Sequence, residues 1–152
     1  MSPQPNVPPA FELSISSESD IVTARRTVRD AALKLGFSQT DVARIVTAAS
    51  ELARNVFRYA GSGVMRWRKV ENGNRIAIEL QFIDSGPGID DVELALTEGY
   101  STGGGLGLGL AGAKRLSDEF DIRSRVGEGT TITLRKWRTD EFQRTQSSRR
   151  GA

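Results

Sequence analysis

Cysteine and histidine are both absent from the 152 residues. Without cysteine there is no disulfide, no thiolate nucleophile and no thiolate metal site. Without histidine there is no Ser-His-Asp triad, no imidazole ligand and no phosphohistidine relay. Any chemistry here has to run on Asp, Glu, Asn, Lys, Arg, Ser, Thr and backbone groups. Long apolar runs are missing too. No stretch approaches the ~18 consecutive apolar residues of a membrane span, and the first residues lack the basic-then-apolar order of a secretory signal. The expectation is a soluble, cytoplasmic protein with no membrane partner. Aromatic residues are scarce at 7%, but 38% apolar and 26% charged residues is the balance of a chain that buries a core. At this length one domain is expected.

The excess of positive charge is small, 21 basic against 19 acidic residues, and it is unevenly placed. Residues 135–152 carry six Lys or Arg against two acids, a surplus of +4, so residues 1–134 come to about −2. A basic fringe on a weakly acidic body is a poor footprint for a groove-reading domain, and no nucleic-acid partner is expected. Four of the five prolines fall in residues 1–10, which read as a disordered leader. Residues 138–152 read as a flexible basic tail, leaving 11–137 as the folded unit.

Within that unit Phe11, Leu13 and Ile15 alternate as in a half-buried strand. Asp20 can cap a helix running to about Leu35, with Ile21, Ala24, Val28, Ala31 and Leu35 on one face and Gly36 at its end. Ser38 opens a second helix with Asp41 three residues on, a variant capping box, and that helix runs to about Ala60 before Gly61. Val64–Glu71 and Arg75–Asp84, the latter with Ile76, Ile78, Leu80 and Phe82 in clean alternation, form a hairpin across Asn72-Gly73-Asn74, since Asn and Gly accept positive φ. Leu106–Glu119 reads as a helix, and Phe120–Val126 with Thr130–Trp137 as a second hairpin across Gly127-Glu128-Gly129. This order is not the strict alternation of a doubly wound fold. It suits an α+β two-layer sandwich, a mostly antiparallel mixed sheet with helices on one face.

Three constellations carry chemistry. On the second helix the apolar stripe of Val42, Ile45, Val46, Ala49, Leu52, Ala53, Val56 and Phe57 leaves Glu51 and Asn55 on the opposite side, one turn apart. A carboxylate and an amide oxygen so placed are hard ligands suited to Mg²⁺ and its waters; the competing reading is a solvated helix face. Asp84 ends an apolar strand before Gly86 and Gly88. There a carboxylate can accept a hydrogen bond from an exocyclic amine such as that of adenine, although Asp-Ser-Gly-Pro-Gly is also a plain turn sequence.

The third is glycine. Nine of the 16 glycines fall between Gly86 and Gly112, densest at Gly103-Gly104-Gly105-Leu106-Gly107-Leu108-Gly109. Successive backbone N–H groups in such a loop can turn toward phosphate oxygens. A flexible linker fits less well, because leucines are interleaved and a helix follows. Gly107 to Gly112 formally matches G-x-G-x-x-G, but no strand precedes it, and no G-x-x-x-x-G-K-[ST] occurs; neither a Rossmann nor a Walker site is present. Arg58, Lys114 and Arg115 are further candidates for phosphate contact, weighed against ordinary solvated surface.

Glu51-x-x-x-Asn55, Asp84-x-Gly86-x-Gly88, the Gly103–Gly109 loop and Gly127-x-Gly129-Thr130 stand in the order and rough spacing of the Bergerat (GHKL) ATP-binding fold. The stretch from Gly99 to Gly107 and on from Lys114 to Ile122 resembles the anti-sigma-factor-type serine/threonine kinases, and within them the RsbT-type switch kinases of bacterial stress-signalling complexes. The resemblance covers about residues 11–137. It implies ATP and Mg²⁺ as cofactors, with Asn55 holding the metal, Asp84 binding the adenine amine, and Gly86 and Gly88 shaping the adenine pocket. Gly104, Gly105, Gly107 and Gly109 would lie in a lid over the phosphates, Thr130 would support the adenine side through its hydroxyl, and Glu51 would be the general base. The implied reaction is phosphorylation of a Ser or Thr on a STAS-domain protein, followed by activation of a PP2C-type phosphatase. Two other readings stay open: sequestration of a sigma factor, and a non-catalytic module that docks when ATP is bound. With no histidine to phosphorylate, the histidine-kinase branch is not expected, and at 152 residues neither are the branches that carry transducer domains.

Overall fold

The computed structural model describes residues 11–97 and 109–139. Its elements are β1 (Phe11–Ile15), α1 (Glu18–Lys34), α2 (Gln39–Asn55), a π-helical turn (Val56–Ala60), β2 (Gly63–Asn72), β3 (Arg75–Asp84), the short α3 (Val92–Ala95), α4 (Gly109–Arg115), β4 (Glu119–Arg125) and β5 (Gly129–Trp137). The strands lie in the order β1-β2-β3-β5-β4. Among the described residues each pairing is antiparallel, so the sheet expected to be mixed has no parallel pair there.

The alternation read in the sequence becomes a two-faced sheet. Ile78, Leu80 and Phe82 on β3 meet Met65 on β2 and Ile132 and Leu134 on β5, and this face packs under Ile21, Ala24 and Val28 of α1 and Ile45, Ala49 and Leu52 of α2. Full burial of a side chain such as Leu80 or Phe82 stabilises the fold by roughly 1.5–3 kcal/mol. On the other face, β2, β3 and β5 bring Arg68, Glu79 and Arg135 together. Glu79 is buried there and accepts from Arg68 Nε and Nη2 at 3.0 and 3.1 Å and from Arg135 Nε at 2.7 Å. Burial pushes its carboxyl up, and the two guanidinium groups outweigh burial and hold it below the ordinary value.

Local chemistry moves several boundaries. Ser17, not Asp20, is the N-cap of α1: its hydroxyl accepts from the Asp20 amide at 3.3 Å. Asp20 reaches back instead, and its carboxylate accepts from the Ser16 amide at 2.9 Å, so the two residues divide the capping task. Ser38 caps α2 as expected, accepting from the Asp41 amide at 3.1 Å. The second helix is α-helical only to Asn55 and continues as the π turn to Ala60, where Gly61 at φ 80° ends it. Of the helix expected over Leu106–Glu119, the part from Gly109 is helical only to Arg115, because the chain turns through Ser117 and Asp118 so that Glu119 can pair with Arg135. Leu106 itself lies outside the described residues, as do the proline leader and residues 140–152. Arg138 and Thr139 are tied to the body: Arg138 Nη1 donates to the Leu35 carbonyl at 2.8 Å and Thr139 Oγ1 to Asp41 at 3.3 Å.

Candidate functional site

The π turn, the end of β3 and the start of α4 meet at one end of the helical layer and enclose a cavity of about 740 Å³. From α2 and the π turn it receives Glu51, Arg54, Asn55, Arg58 and Tyr59, and from the sheet Phe82, Asp84, Thr130 and Ile132. The loop after β3 adds Gly88, Ile89, Asp90 and Asp91, α3 adds Leu94, and α4 adds Gly109 and Leu110. An apolar floor of Leu52, Phe82 and Ile132 with polar groups at the rim is the usual build of a small-molecule site.

Each polar group is held by a local device. One helical turn puts Glu51 and Asn55 on the same wall. Glu51 Oε1 accepts from Arg54 Nη1 at 2.9 Å, and Oε2 from the Gly109 amide at 3.4 Å. Asp84 stands opposite Thr130 in the β3–β5 register, and its Oδ1 accepts from the Gly86 amide at 2.9 Å. Gly86 stands behind the wall: a Cβ there would meet Ala60 Cβ at 2.6 Å, so glycine lets the strand-end turn lie against the π turn. Gly88 takes φ +78°, and a Cβ on it would fall 2.2 Å from the Arg125 carbonyl oxygen. The loop is thereby pressed onto the β4–β5 turn, where the Gly127 amide donates to the Pro87 carbonyl at 2.8 Å.

Of the residues singled out in the sequence, Glu51, Asn55, Asp84, Gly88, Gly109 and Thr130 therefore share one cavity, with Gly86 behind Asp84. Gly104, Gly105 and Gly107 lie outside the described residues. Arg58 lines the cavity, whereas Lys114 is exposed on α4 and does not. Among the residues that the sequence patterns did not mark are Arg54 and Ser124. Arg54 sits three residues after Glu51, the ordinary helical ion-pair spacing. Ser124 becomes visible only once the last hairpin is put in register, which sets it across from Thr130. No group of three or more carboxylates forms a ready metal cage among the described residues. What Glu51 and Asn55 supply is two hard oxygen donors, the kind of partial set Mg²⁺ accepts when phosphates and water complete its shell.

Residues 40–140 match the family model described as histidine kinase-, DNA gyrase B-, and HSP90-like ATPase. The chain belongs to that ATPase family. Over 123 residues it is 48% identical to the serine/threonine-protein kinase RsbT of Bacillus subtilis (strain 168), a match covering 81% of this chain and 92% of RsbT. Over 134 residues it is 32% identical to the anti-sigma F factor of Thermoanaerobacter sp. (strain X514), covering 84% of this chain and 92% of that one. Among solved structures, the RsbU and RsbW domains of a Mycobacterium tuberculosis protein align with a TM-score of 0.58 at 24% identity, over 86% of this chain and 34% of that one. The SiaB-SiaC complex from Pseudomonas aeruginosa aligns with a TM-score of 0.52 at 14% identity, over 86% and 90% of the two chains. At those identities the solved structures attest the fold alone. The sequence relatives put this ATPase in the branch of serine/threonine-protein kinases and anti-sigma factors, and its enzyme class is that of an ATP-dependent protein kinase. Among the described residues no helix is long and apolar enough to cross a membrane.

Proposed function

We propose that this ATPase transfers the terminal phosphoryl group of Mg²⁺-ATP to a Ser or Thr of a STAS-domain regulator, and that it then binds and activates a PP2C-type phosphatase in a cytoplasmic partner-switching pathway. The observation that carries the reading is the shared cavity, with Glu51 and Asn55 on one wall and Asp84 with Thr130 on the other. Bound there, Mg²⁺-ATP supplies the transferable phosphoryl group and the charge that neutralises it. The remaining work falls to side chains. Asp84 takes the adenine amine as a strand-end acceptor, and Phe82 and Ile132 give the base an apolar floor. Asn55 offers its amide oxygen to the metal. Glu51 receives the proton of the incoming hydroxyl as the new P–O bond forms and the bond to ADP breaks. Transfer of this kind needs positioning and charge more than covalent chemistry, which suits a chain without histidine or cysteine.

The 32% identity to an anti-sigma F factor favours a second reading, in which the nucleotide-bound protein holds a sigma factor. A pull-down with a STAS protein, a PP2C phosphatase and a sigma factor as separate baits, with and without Mg²⁺-ATP, separates them. The first reading expects the STAS and phosphatase baits to retain the protein; retention by the sigma factor alone rejects it.

A further inference from the structure

Behind the adenine wall one hydroxyl has three partners. Ser124 Oγ on β4 accepts from the Ile89 amide at 2.7 Å, lies 2.7 Å from Thr130 Oγ1, and donates to the Gly129 carbonyl at 3.2 Å. A serine hydroxyl has one proton and two lone pairs, so three partners fill it. The Ile89 N–H takes one lone pair. A carbonyl oxygen can only accept, so the serine proton goes to Gly129. The second lone pair is then the only thing left for Thr130, whose own proton must point at Ser124. Were the serine proton turned to Thr130 instead, two lone-pair-bearing oxygens would face each other at Gly129 with nothing between them.

We infer that Ser124 is a specificity-determining positioning residue. By claiming the Thr130 proton it makes Thr130 a pure hydrogen-bond acceptor toward the cavity, so that the base edge of the site takes a 6-amino purine and rejects a 6-oxo purine. Thr130 lines the cavity, whereas Ser124 is not part of the lining and acts through it. Directly across the β3–β5 pair stands Asp84, whose carboxylate is also an acceptor. Two acceptors side by side suit an exocyclic amine, which brings two N–H groups. They repel a carbonyl oxygen in the same place, because a site built to pair with one polar pattern leaves groups unpaired with the other.

The inference rests on the cavity being a purine nucleotide site and is tested so that the two can fail separately. ATP and inosine triphosphate, which differ at the 6-position and its neighbouring ring nitrogen, are titrated calorimetrically into the wild-type protein, Ser124→Ala and Ser124→Thr. In Ser124→Ala the Thr130 hydroxyl is free to turn its proton to a 6-oxo group, so the ratio of ATP to inosine triphosphate affinity falls by about tenfold, a typical consequence of one such polar match. Ser124→Thr keeps the hydroxyl and keeps the ratio. Equal weakening of both nucleotides in Ser124→Ala, with the ratio unchanged, would mean that Ser124 only anchors the Ile89 loop, and it overturns the inference. If Ser124→Ala does not fold, Thr130→Val removes the acceptor itself and is expected to lower the same ratio, an unchanged ratio again counting against it. A wild-type protein that binds neither nucleotide refutes the reading of the cavity rather than the role of Ser124.

Discussion

Arg54 and Glu51 form an ion pair across one turn of α2, with Arg54 Nη1 2.9 Å from Glu51 Oε1. The Gly109 amide reaches the other oxygen, so the carboxylate proposed as the base is steered at both ends against the cavity wall. Lone pairs remain on each oxygen for a substrate hydroxyl.

Replacing that carboxylate separates chemistry from binding. Glu51→Ala is expected to lower the phosphoryl-transfer rate by about 10²–10⁴-fold, the usual contribution of a general base, with nucleotide still bound. Single-turnover transfer measured beside calorimetric titration of ATP checks both halves. Unimpaired transfer would remove Glu51 from the base role.

Arg54→Ala is expected to slow transfer by about tenfold through loss of orientation of Glu51, while Arg54→Lys recovers part of it. Stability should hardly move, because an i,i+3 pair with a 43% exposed arginine contributes only about 0.3–0.5 kcal/mol. A kcat loss without a shift in the thermal midpoint is the signature.

Asp84→Asn exchanges one acceptor oxygen for a donor amide beside Thr130. The expected outcome is weaker ATP binding by about 10–100-fold, in line with loss of a charge-assisted hydrogen bond, and transfer restored at saturating nucleotide. Equilibrium titration and a KM measurement distinguish this from a loss of catalysis.

Gly88→Ala tests how the loop is seated. A Cβ at that position would lie 2.2 Å from the Arg125 carbonyl oxygen in a backbone conformation with φ +78°. Something must shift, and a destabilisation of about 2 kcal/mol or more is expected in denaturant melts, with weakened ATP binding.

The buried Glu79 gives an acid-side prediction. Its folded-state carboxyl lies below the ordinary value of 4.5, since the pairs with Arg68 and Arg135 outweigh burial. The unfolded chain therefore binds its proton first as pH falls. The contribution of Glu79 is complete above about pH 4.5 and is lost as pH drops through the lower folded value. Unfolding free energy measured from pH 6 down to about pH 3 should fall more steeply in the wild type than in Glu79→Gln; parallel curves would contradict the assignment.

Where a pattern has one physical cause, it could be read directly. The alternation of Ile76, Ile78, Leu80 and Phe82 marked β3, Asn72-Gly73 marked its hairpin, and Ser38 marked the start of α2. Glu51 and Asn55 were legible as a pair because helical spacing alone sets them on one wall. Competing signals hid the rest. Ser17 and Asp20 are both capping residues one turn apart, and only the backbone decides which accepts from the helix. The π turn has no composition of its own and follows from packing Ala60 on Gly86 and Val56 near Gly63. Ser124 looks like any strand serine until the β4–β5 register places it against Thr130. Asp90 and Asp91 belong to no motif or periodic pattern, yet the cavity wall runs along them.

The central claim is that this cavity works as a protein kinase site. Incubation of the protein with Mg²⁺-ATP and a STAS-domain partner, followed by intact-mass measurement of both chains, tests it most directly. The account predicts one phosphate gained by the partner, none by the kinase, and none by the partner when Glu51→Ala replaces the wild type. An unmodified partner under conditions where titration shows ATP bound and the pull-down shows the two proteins associated would contradict it.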